Sequence, residues 1–219
     1  MLSREQAKAF YDRLGSRQDS QAFYEDVATE NLIAHADFES AHSVLEFGCG
    51  TGRFAEKILD DHLLESATYR GLDLSSTMVA LASRRIARFG ARAQVLQTDG
   101  PLRFQTSDGA LDRIVSNYVL DLLPVAECRL FVREARRSLS QGGRLCLCGL
   151  TFGNTLVSRL VTAIWIHVHA LRPALVGGCR PVDLLTFLPG EEWNICHCTV
   201  KTAFGMASQI VVATPRRLS

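Results

Sequence analysis

The sequence predicts an α/β fold: a doubly wound, mostly parallel seven-stranded sheet, with N-terminal helices, a helical insert after strand 5 and an antiparallel C-terminal edge hairpin. Between Ser43 and Leu150, short apolar runs alternate with amphipathic helical stretches, which is typical of right-handed crossovers in a parallel sheet. After Leu150 this alternation stops. Two strand-like segments then follow with only Gly205 and Met206 between them, and such close spacing favours an antiparallel hairpin over another crossover.

The first forty residues predict two helices ahead of the sheet. One begins after Ser3, whose hydroxyl is a preferred N-cap, and ends at Gly15. The second runs from about Gln21 to Phe38, with apolar residues at helical spacing.

The segment 41–150 predicts five strands and the helices that connect them. The strands correspond to the apolar runs SVLEF, ATYRGLDL, AQVLQTD, DRIVSNYV and GRLCLCGL. The helices correspond to RFAEKILDDHLL, SSTMVALASRRIARFG and PVAECRLFVREARRSLSQGG. A long apolar helix from about Thr155 to Leu171 and the hairpin strands WNICHCTVKTAF and ASQIVVATP follow them.

The amino-acid composition argues against a nucleic-acid-binding, a secreted and a membrane-spanning protein. Lys and Arg together number 24 against 23 for Asp and Glu, so the basic excess of nucleic-acid-binding proteins is missing. The seven cysteines are odd in number and scattered, which predicts reduced thiols and a cytoplasmic protein rather than a secreted one. No signal peptide is visible at the start, and the most apolar helical stretch is too short and too charged to predict a membrane span.

A glycine-rich turn is predicted directly after the first strand, at VLEFGCGTG, residues 44–52. Ligands of open α/β sheets bind at the carboxyl ends of the strands, where glycines allow the backbone to approach them closely. Gly48, Gly50 and Gly52 alternate, and Arg53 stands where the dinucleotide fingerprint G-x-G-x-x-G has its third glycine. That departure argues against NAD.

Three acidic residues belong to the same predicted edge of the sheet. Asp73 closes the second strand, where a carboxylate accepts hydrogen bonds from both hydroxyls of a ribose. Asp99 closes the third strand, where a carboxylate accepts one from the exocyclic amine of adenine. Glu46, within the turn motif, would repel a pyrophosphate but suits a cofactor that carries an ammonium and a sulfonium.

The glycine turn and these acidic residues belong to segments by which the sequence resembles the class I S-adenosylmethionine-dependent methyltransferases. The segments VLEFGCGTGRFA, GLDLSSTMV, QTDGPLRF, DRIVSNYVLDLLP and LSQGGRLCL occur in the order and spacing of that family. The nearest likeness is to the small-molecule branch that includes quinone-biosynthesis methyltransferases. The resemblance covers about residues 40–150, and the C-terminal hairpin agrees with the family's seven-stranded sheet.

The resemblance implies S-adenosylmethionine as cofactor, with S-adenosylhomocysteine as its product, and it implies a role for each matching position. Glu46, Gly48 and Gly50 would hold the methionine end. The other implied positions are Asp73 for the ribose, Asp99 and Gly100 for the adenine, Leu74 and Met78 against the ring system, Asn117 for the methionine amine, and Tyr11 on a helix that closes over the cofactor.

Methyl transfer is an in-line displacement, so the protein's main task is to align the acceptor and exclude water. A general base is needed only for some acceptors, and the candidates near the expected pocket mouth are Tyr118, Asp121 and His167. Family members often carry His where this chain has Asp121, which leaves the substrate chemistry open. We expect no metal, because Cys146 and Cys148 alternate on a strand rather than following the spacing of structural zinc ligands.

The expected organisation is one methyltransferase domain over 1–219. It comprises a helical cap (1–40), the cofactor-binding core (41–150), an insert over the substrate (151–190) and the edge hairpin (191–215). The insert is apolar and contains Trp165 and Phe187, which suits a lid over a small, partly apolar acceptor or a homodimer interface. Two alternatives stay open at this point: a non-catalytic cofactor-binding or scaffolding domain, and a nicotinamide-dependent oxidoreductase.

Overall fold

The computed structural model describes residues 3–98 and 102–216, with the backbone alone at residues 21 and 22. The candidate adenine-contacting residues Asp99 and Gly100 therefore lie outside the described residues. The helices are α1 (Arg4–Leu14), α2 (Ala22–Ala36), α3 (Arg53–Asp61), α4 (Ser76–Arg85), α5 (Val125–Ser138) and α6 (Leu156–Leu171). The strands are β1 (Ser43–Phe47), β2 (Thr68–Asp73), β3 (Ala93–Gln97), β4 (Leu111–Asn117), β5 (Leu139–Leu150), β6 (Trp193–Ala203) and β7 (Met206–Pro215).

The strands form one seven-stranded sheet in the order β3-β2-β1-β4-β5-β7-β6. The pairs among β1 to β5 are parallel, whereas β7 lies antiparallel to both β5 and β6. This arrangement confirms the predicted fold class. Because β1 pairs with both β2 and β4, the strand order reverses at the carboxyl ends of β1 and β4, which is where open α/β sheets bind their ligands.

Alternating residues of the central strands enter two separate hydrophobic cores, so both faces of the sheet are covered. On β1, Val44 belongs to the core beneath α2 and α3, and its neighbour Leu45 belongs to the core beneath α5. On β5, Cys146 and Cys148 enter the first core, while Leu145 and Leu147 enter the second. The two cysteines therefore act as small apolar core residues, which agrees with the alternation of side chains along a strand.

Several element ends differ from the sequence prediction by a few residues. Helix α1 begins and ends as predicted, with Ser3 and Gln6 forming a reciprocal capping box. Helix α5 ends at Ser138 instead of continuing to the glycines, because the buried Leu139 already pairs with Leu111 of β4. The hairpin turn lies at Phe204 and Gly205, both with positive φ, as two-residue turns between twisted strands require.

Arg113 on β4 is a buried charge that ties the end of α2 to the sheet. Its guanidinium donates to the carbonyls of Ala36 (2.6 Å) and Asp37 and to the hydroxyl of Ser40 (2.8 Å). The Asp37 carboxylate pairs with Arg113 at 3.2 Å and with Arg144 of β5 at 3.0 Å. The last carbonyls of a helix have no partner within it, and Arg113 supplies one to the carbonyl of the buried Ala36.

Within the described residues, no helix is both long enough and apolar enough to cross a membrane.

Replacing Arg113 with Gln is expected to lower the free energy of unfolding by about 3 kcal/mol, because Asp37 and the helix-end carbonyls lose their buried partner. Urea denaturation measures this change. The matched control is Arg129→Gln on the exposed side of α5, which should change stability by less than about 0.5 kcal/mol. Equal losses in both variants would contradict the role given to Arg113.

Candidate functional site

The glycine turn after β1 adopts a backbone conformation that side chains would disrupt. Gly48, Gly50 and Gly52 have φ values of +79°, +54° and +79°, in the left-handed region that favours glycine. A Cβ atom on Gly48 would lie 2.2 Å from Cγ2 of Val119, and one on Gly52 would lie 2.9 Å from Cα of Ala82. The turn therefore has glycines both for its backbone angles and for its close packing.

Asp73, the last residue of β2, fixes the turn in place. Its carboxylate accepts hydrogen bonds from the backbone N–H of Gly50 at 2.8 Å and of Ser75 at 2.9 Å. The carbonyl of Leu72 accepts two more, from Gly48 at 2.7 Å and Cys49 at 3.1 Å. Burial raises the pKa of Asp73 above its usual range, against the lowering effect of these backbone donors. The carboxylate thus joins the loops that follow β1 and β2.

Glu46 lies deeper in the same region, on β1. It is 1% exposed and accepts a hydrogen bond from the hydroxyl of Tyr69 at 2.6 Å. Burial raises the pKa of Glu46 to about 7, although the Tyr69 hydroxyl and the Asn117 amide oppose the rise. A cation at this position would favour the ionised carboxylate and lower its pKa again.

Asn117 and Tyr118 occupy the end of β4, across the strand reversal from the turn. Both polar atoms of the Asn117 amide are buried, and neither makes a hydrogen bond of normal geometry within residues 3–98 and 102–216, although the amide lies near Glu46. Tyr118 has a positive φ of 55°, and its hydroxyl is 2.8 Å from Oγ of Ser208. Since buried polar groups normally have partners, the Asn117 amide is available to a polar ligand.

Two cavities meet at the glycine turn, sharing Gln18, Gly48, Gly50, Asn117 and Tyr118 in their walls. The first has a volume of about 270 Å³ and runs along the ends of β2 and β3 to the start of α5. Its lining includes Tyr11, Asp73, Leu74, Met78, Thr98 and Leu102. This cavity combines a carboxylate with apolar walls, which suits a nucleoside.

The second cavity, of about 400 Å³, lies on the other side of the turn and is strongly acidic. Seven of its lining residues are acidic, namely Asp19, Glu25, Asp26, Glu46, Glu56, Asp60 and Asp61, whereas Arg53 and Lys57 are basic. Arg53 is engaged by Glu25 at 3.5 Å and by Asp26, and Lys57 pairs with Glu30 at 3.1 Å. Asp19, Glu56 and Asp60 pair with Arg85 or Arg88. Glu46 and Asp61 have no basic partner within 4.0 Å among the described residues, so they favour a cationic group over a pyrophosphate.

Residues 3–21, which we call the N-terminal cover, close the first cavity on its outer side. Asp12 accepts hydrogen bonds from the hydroxyl of Ser75 at 2.5 Å and the N–H of Thr77 at 3.2 Å, at the start of α4. Asp19 accepts one from the Thr51 hydroxyl at 2.5 Å and pairs with Arg85 at 2.7 Å. The cover is therefore anchored to both the glycine turn and α4.

The predicted cofactor residues that the structure describes all come together around these cavities. Tyr11, Gly48, Gly50, Asp73, Leu74, Met78 and Asn117 line the first, and Glu46 lines the second. The sequence reasoning missed Asp12, Gln18 and Asp19. The only sequence signal for Asp12 is its position directly after Tyr11, and neither Gln18 nor Asp19 belongs to a recognisable motif.

The three candidate bases have different surroundings. Tyr118 lines both cavities. Asp121 is 1% exposed and lines neither; its Oδ1 makes no hydrogen bond within the described residues. Burial raises the pKa of Asp121 to about 7, and the Arg180 charge opposes that rise. His167 is exposed on α6 and borders neither cavity, so the fold does not bring it to the site.

Comparison with known families identifies the core of the chain. A family model described as a methyltransferase domain matches residues 44–143. Malonyl-(acyl-carrier protein) O-methyltransferase of Paenibacillus sp. strain JDR-2 is 34% identical over 155 residues, which are 69% of this chain and 51% of that protein. The chain thus spans about half the length of the first curated relatives it matches.

Solved structures with a similar fold are more distant in sequence. The (4+2)-cyclase SpnF superposes with a TM-score of 0.72 at 17% identity, covering 97% of this chain and 96% of that one. Geranyl diphosphate methyltransferase in complex with GPP and sinefungin superposes with a TM-score of 0.71 at 11% identity, covering 96% and 98%. At these identities the superpositions show the fold alone.

Substituting Gly48 with Ala is expected to destabilise the protein by about 2 kcal/mol more than Gly90→Ala, because a new Cβ would collide with Val119. Gly90 is a matched control, since it also has a positive φ but no neighbouring atom within 4 Å of the point that a Cβ would occupy. Thermal or urea unfolding gives the comparison.

The clash between a Cβ on Gly48 and Val119 also predicts that a second substitution restores stability. Adding Val119→Ala to Gly48→Ala should restore part of the lost stability, since it removes the atom that the new methyl meets. A double variant no more stable than Gly48→Ala would show that the close approach is not what the glycine provides.

Proposed function

This chain belongs to the class I S-adenosylmethionine-dependent methyltransferases, whose domain its residues 44–143 match, and we propose that it transfers a methyl group from S-adenosylmethionine to a small, partly apolar acceptor. The observation that carries the proposal is the placement of one carboxylate on each side of the glycine turn. Asp73 is at the first cavity and Glu46 is at the second. This pair matches a ligand with a ribose at one end and an ammonium at the other.

The residues present fit the cofactor in two respects. The Asp73 carboxylate borders a cavity with apolar walls at Leu74 and Met78, which suits the ribose and the adenine ring. The buried Asn117 amide lacks a partner of normal geometry in the described chain and lies near Glu46, so the two can hold the amino-acid tail. S-adenosylmethionine, when bound, supplies a methyl group activated by a sulfonium.

The contribution of the protein is to orient the acceptor and exclude water. Tyr11 and Tyr118 line the first cavity, and Leu122 and Leu123 give it an apolar end. We propose Tyr118 as a positioning residue. Asp121 would accept a proton only through a neighbouring hydroxyl such as that of Tyr11, which lies within electrostatic range of its carboxyl.

We also propose how the chain is divided around this function. Residues 1–40 would form a cap, 41–150 the cofactor-binding core, 151–190 a cover on the acceptor side and 191–215 the edge hairpin. Contacts support the placement of the insert: the Trp165 indole donates to the Cys179 carbonyl at 2.9 Å, and the Cys179 thiol lies against Tyr11. The seven cysteines, all free thiols, support a reducing compartment such as the cytoplasm.

S-adenosylhomocysteine is expected to raise the unfolding temperature, and NAD is not. At a ligand concentration of about 100 times Kd, the stabilisation should be about 2.7 kcal/mol. Asp73→Asn keeps the shape of the side chain but removes its charge, and it should weaken binding at least about tenfold because a charge-assisted hydrogen bond to the ribose is lost. Stabilisation by NAD alone would instead favour a nicotinamide-dependent oxidoreductase.

The affinity for the cofactor is expected to rise with pH through neutrality. The raised pKa of Glu46, about 7, means that its carboxyl is partly protonated there, and an ammonium needs the carboxylate. Titration of S-adenosylhomocysteine between about pH 6 and about pH 8 tests this. Glu46→Gln should flatten the dependence. 5′-Methylthioadenosine, which lacks the amino-acid tail, is the matched ligand control and should bind equally across the range.

The same raised pKa predicts the opposite trend for the stability of the protein without ligand. Because the folded state holds this proton more tightly than the unfolded state, the contribution is fully present below the unfolded pKa and is lost as pH rises through about 7. Burial raises the pKa values of Glu25 and Asp121 to about 7 as well, so Glu46→Gln should remove only part of the trend. A stability that increased over this range would contradict these assignments.

Methyl transfer itself is tested with labelled S-adenosylmethionine and a panel of acceptors. Small, partly apolar hydroxyl, carboxyl and amine compounds should be turned over, and highly charged acceptors should not, because Leu122 and Leu123 line the acceptor end of the first cavity. Turnover of only highly charged acceptors would overturn the proposed acceptor class. Cofactor binding without transfer to any acceptor would favour a non-catalytic scaffolding domain.

A further inference from the structure

Helix α6 presents an apolar surface to solvent, and its inward side is mixed, with Val161 and Val168 beside polar residues. Leu156, Leu160 and Leu171 are 85%, 63% and 70% exposed, and Val157 and Ile164 are exposed beside them. We call these five side chains the outer face of α6. The inward side instead carries Ser158, which caps the helix, Thr162, which accepts a hydrogen bond from Gly153, and Trp165.

Two aromatic residues extend this surface beyond the helix. Phe204, at the tip of the β6–β7 hairpin, is 80% exposed and packs edge to face on Phe23 of α2, with ring centroids 5.3 Å apart. The hairpin contacts α6 closely: a Cβ on Gly205 would lie 3.8 Å from Val157 of the outer face, and Thr202 donates to Asn154, just before the helix, at 3.0 Å. The outer face and the two phenylalanines therefore form one exposed apolar region.

The charges on α6 and on the loop that follows it are all positive. Residues 151–182 contain no Asp or Glu. Arg159 and Arg172 are exposed, and neither has an acidic partner within 4.0 Å among the described residues. An exposed apolar helix face with cationic residues beside it is found in segments that lie in the interface of an anionic membrane.

We propose that the outer face of α6, with Phe23 and Phe204, docks onto the surface of a lipid bilayer that carries anionic headgroups. The helix has 16 residues, or about 24 Å at 1.5 Å per residue, which is shorter than the roughly 30 Å core of a bilayer. It is therefore suited to lie on the membrane and not to cross it. The arginines provide the charge complementarity to the headgroups.

A second copy of this chain fits the same surface less well. A two-helix coiled-coil seam uses a narrow stripe of two positions in seven. The exposed apolar residues of α6 instead run from Ile166 through Leu156 to Val157, about half of the helix circumference. A symmetric pair would also bring the same cationic groups, Arg159 and Arg172, towards each other without any acidic residue of 151–182 to offset them. Both features fit a broad anionic surface.

The position of α6 connects this surface to the candidate site. Its Trp165 bonds to Cys179, and a Cβ at the adjoining Gly177 would lie 3.5 Å from Phe10, one residue before Tyr11 in the wall of the first cavity. A membrane at the outer face would thus lie beside the N-terminal cover. That a lipophilic acceptor could enter from the bilayer is a consequence that rests on the proposed methyl transfer. The membrane contact itself does not depend on that function.

Vesicle co-sedimentation of the full chain, without any methyl donor, tests the proposal. Vesicles of phosphatidylcholine with about 30 mol% phosphatidylglycerol should bind the protein, and pure phosphatidylcholine should bind it much less. The variant L160D/I164D should lose binding, and Arg159→Gln should weaken it about fivefold. The matched control is Leu130→Asp, an exposed leucine on a different helix, α5, which should bind like the unaltered chain.

Circular dichroism and stabilisation by S-adenosylhomocysteine establish that each variant is folded, so a lost membrane contact is distinguishable from a lost cofactor site. No binding of the folded chain to anionic vesicles would overturn the proposal. So would equal losses for L160D/I164D and Leu130→Asp. Light scattering adds a third outcome: a lipid-free dimer that L160D/I164D converts to a monomer would assign the surface to a second copy and overturn the membrane proposal.

Discussion

Two hydrogen bonds to the carboxylate of Asp73 determine how the rest of the site is arranged. They come from Gly50 after β1 and Ser75 after β2, at 2.8 and 2.9 Å, so one side chain holds two loops at the point where the strand order reverses. The turn can pass this close only because Gly48 has no side chain towards Val119. Both cavities have the turn as their shared wall, and their shapes depend on this constraint.

The N-terminal cover supplies part of the wall of the first cavity, and the strand ends supply the rest. Its Asp12 and Asp19 bind the start of α4 and the glycine turn, and Tyr11 and Gln18 then reach the cavity walls. The fold alone does not decide the chemistry, since a cyclase and a methyltransferase superpose on this chain about equally well. The carboxylates around the turn carry the functional proposal, because they favour a cationic cofactor over a pyrophosphate.

Sequence patterns predicted the sheet, its reversal and the glycine turn, because each of these is a local signal of period, spacing or conformation. They could not predict contacts such as that between Asp12 and Ser75, which joins residues distant in the chain through the docking of α1. They also could not orient α6, which is apolar on most of its circumference: His167 was expected near the pocket, yet it faces solvent. Asp121 was predicted near the pocket mouth, and its full burial follows from tertiary packing.

The most direct test is the electron density of a crystal of the full chain grown with S-adenosylhomocysteine. The predicted result is a ligand that spans the glycine turn, with its ribose hydroxyls on the Asp73 carboxylate and its amine beside Glu46 and Asn117. A ligand bound away from the turn, or bound with its amino-acid tail towards Asp73, would contradict this assignment of the site.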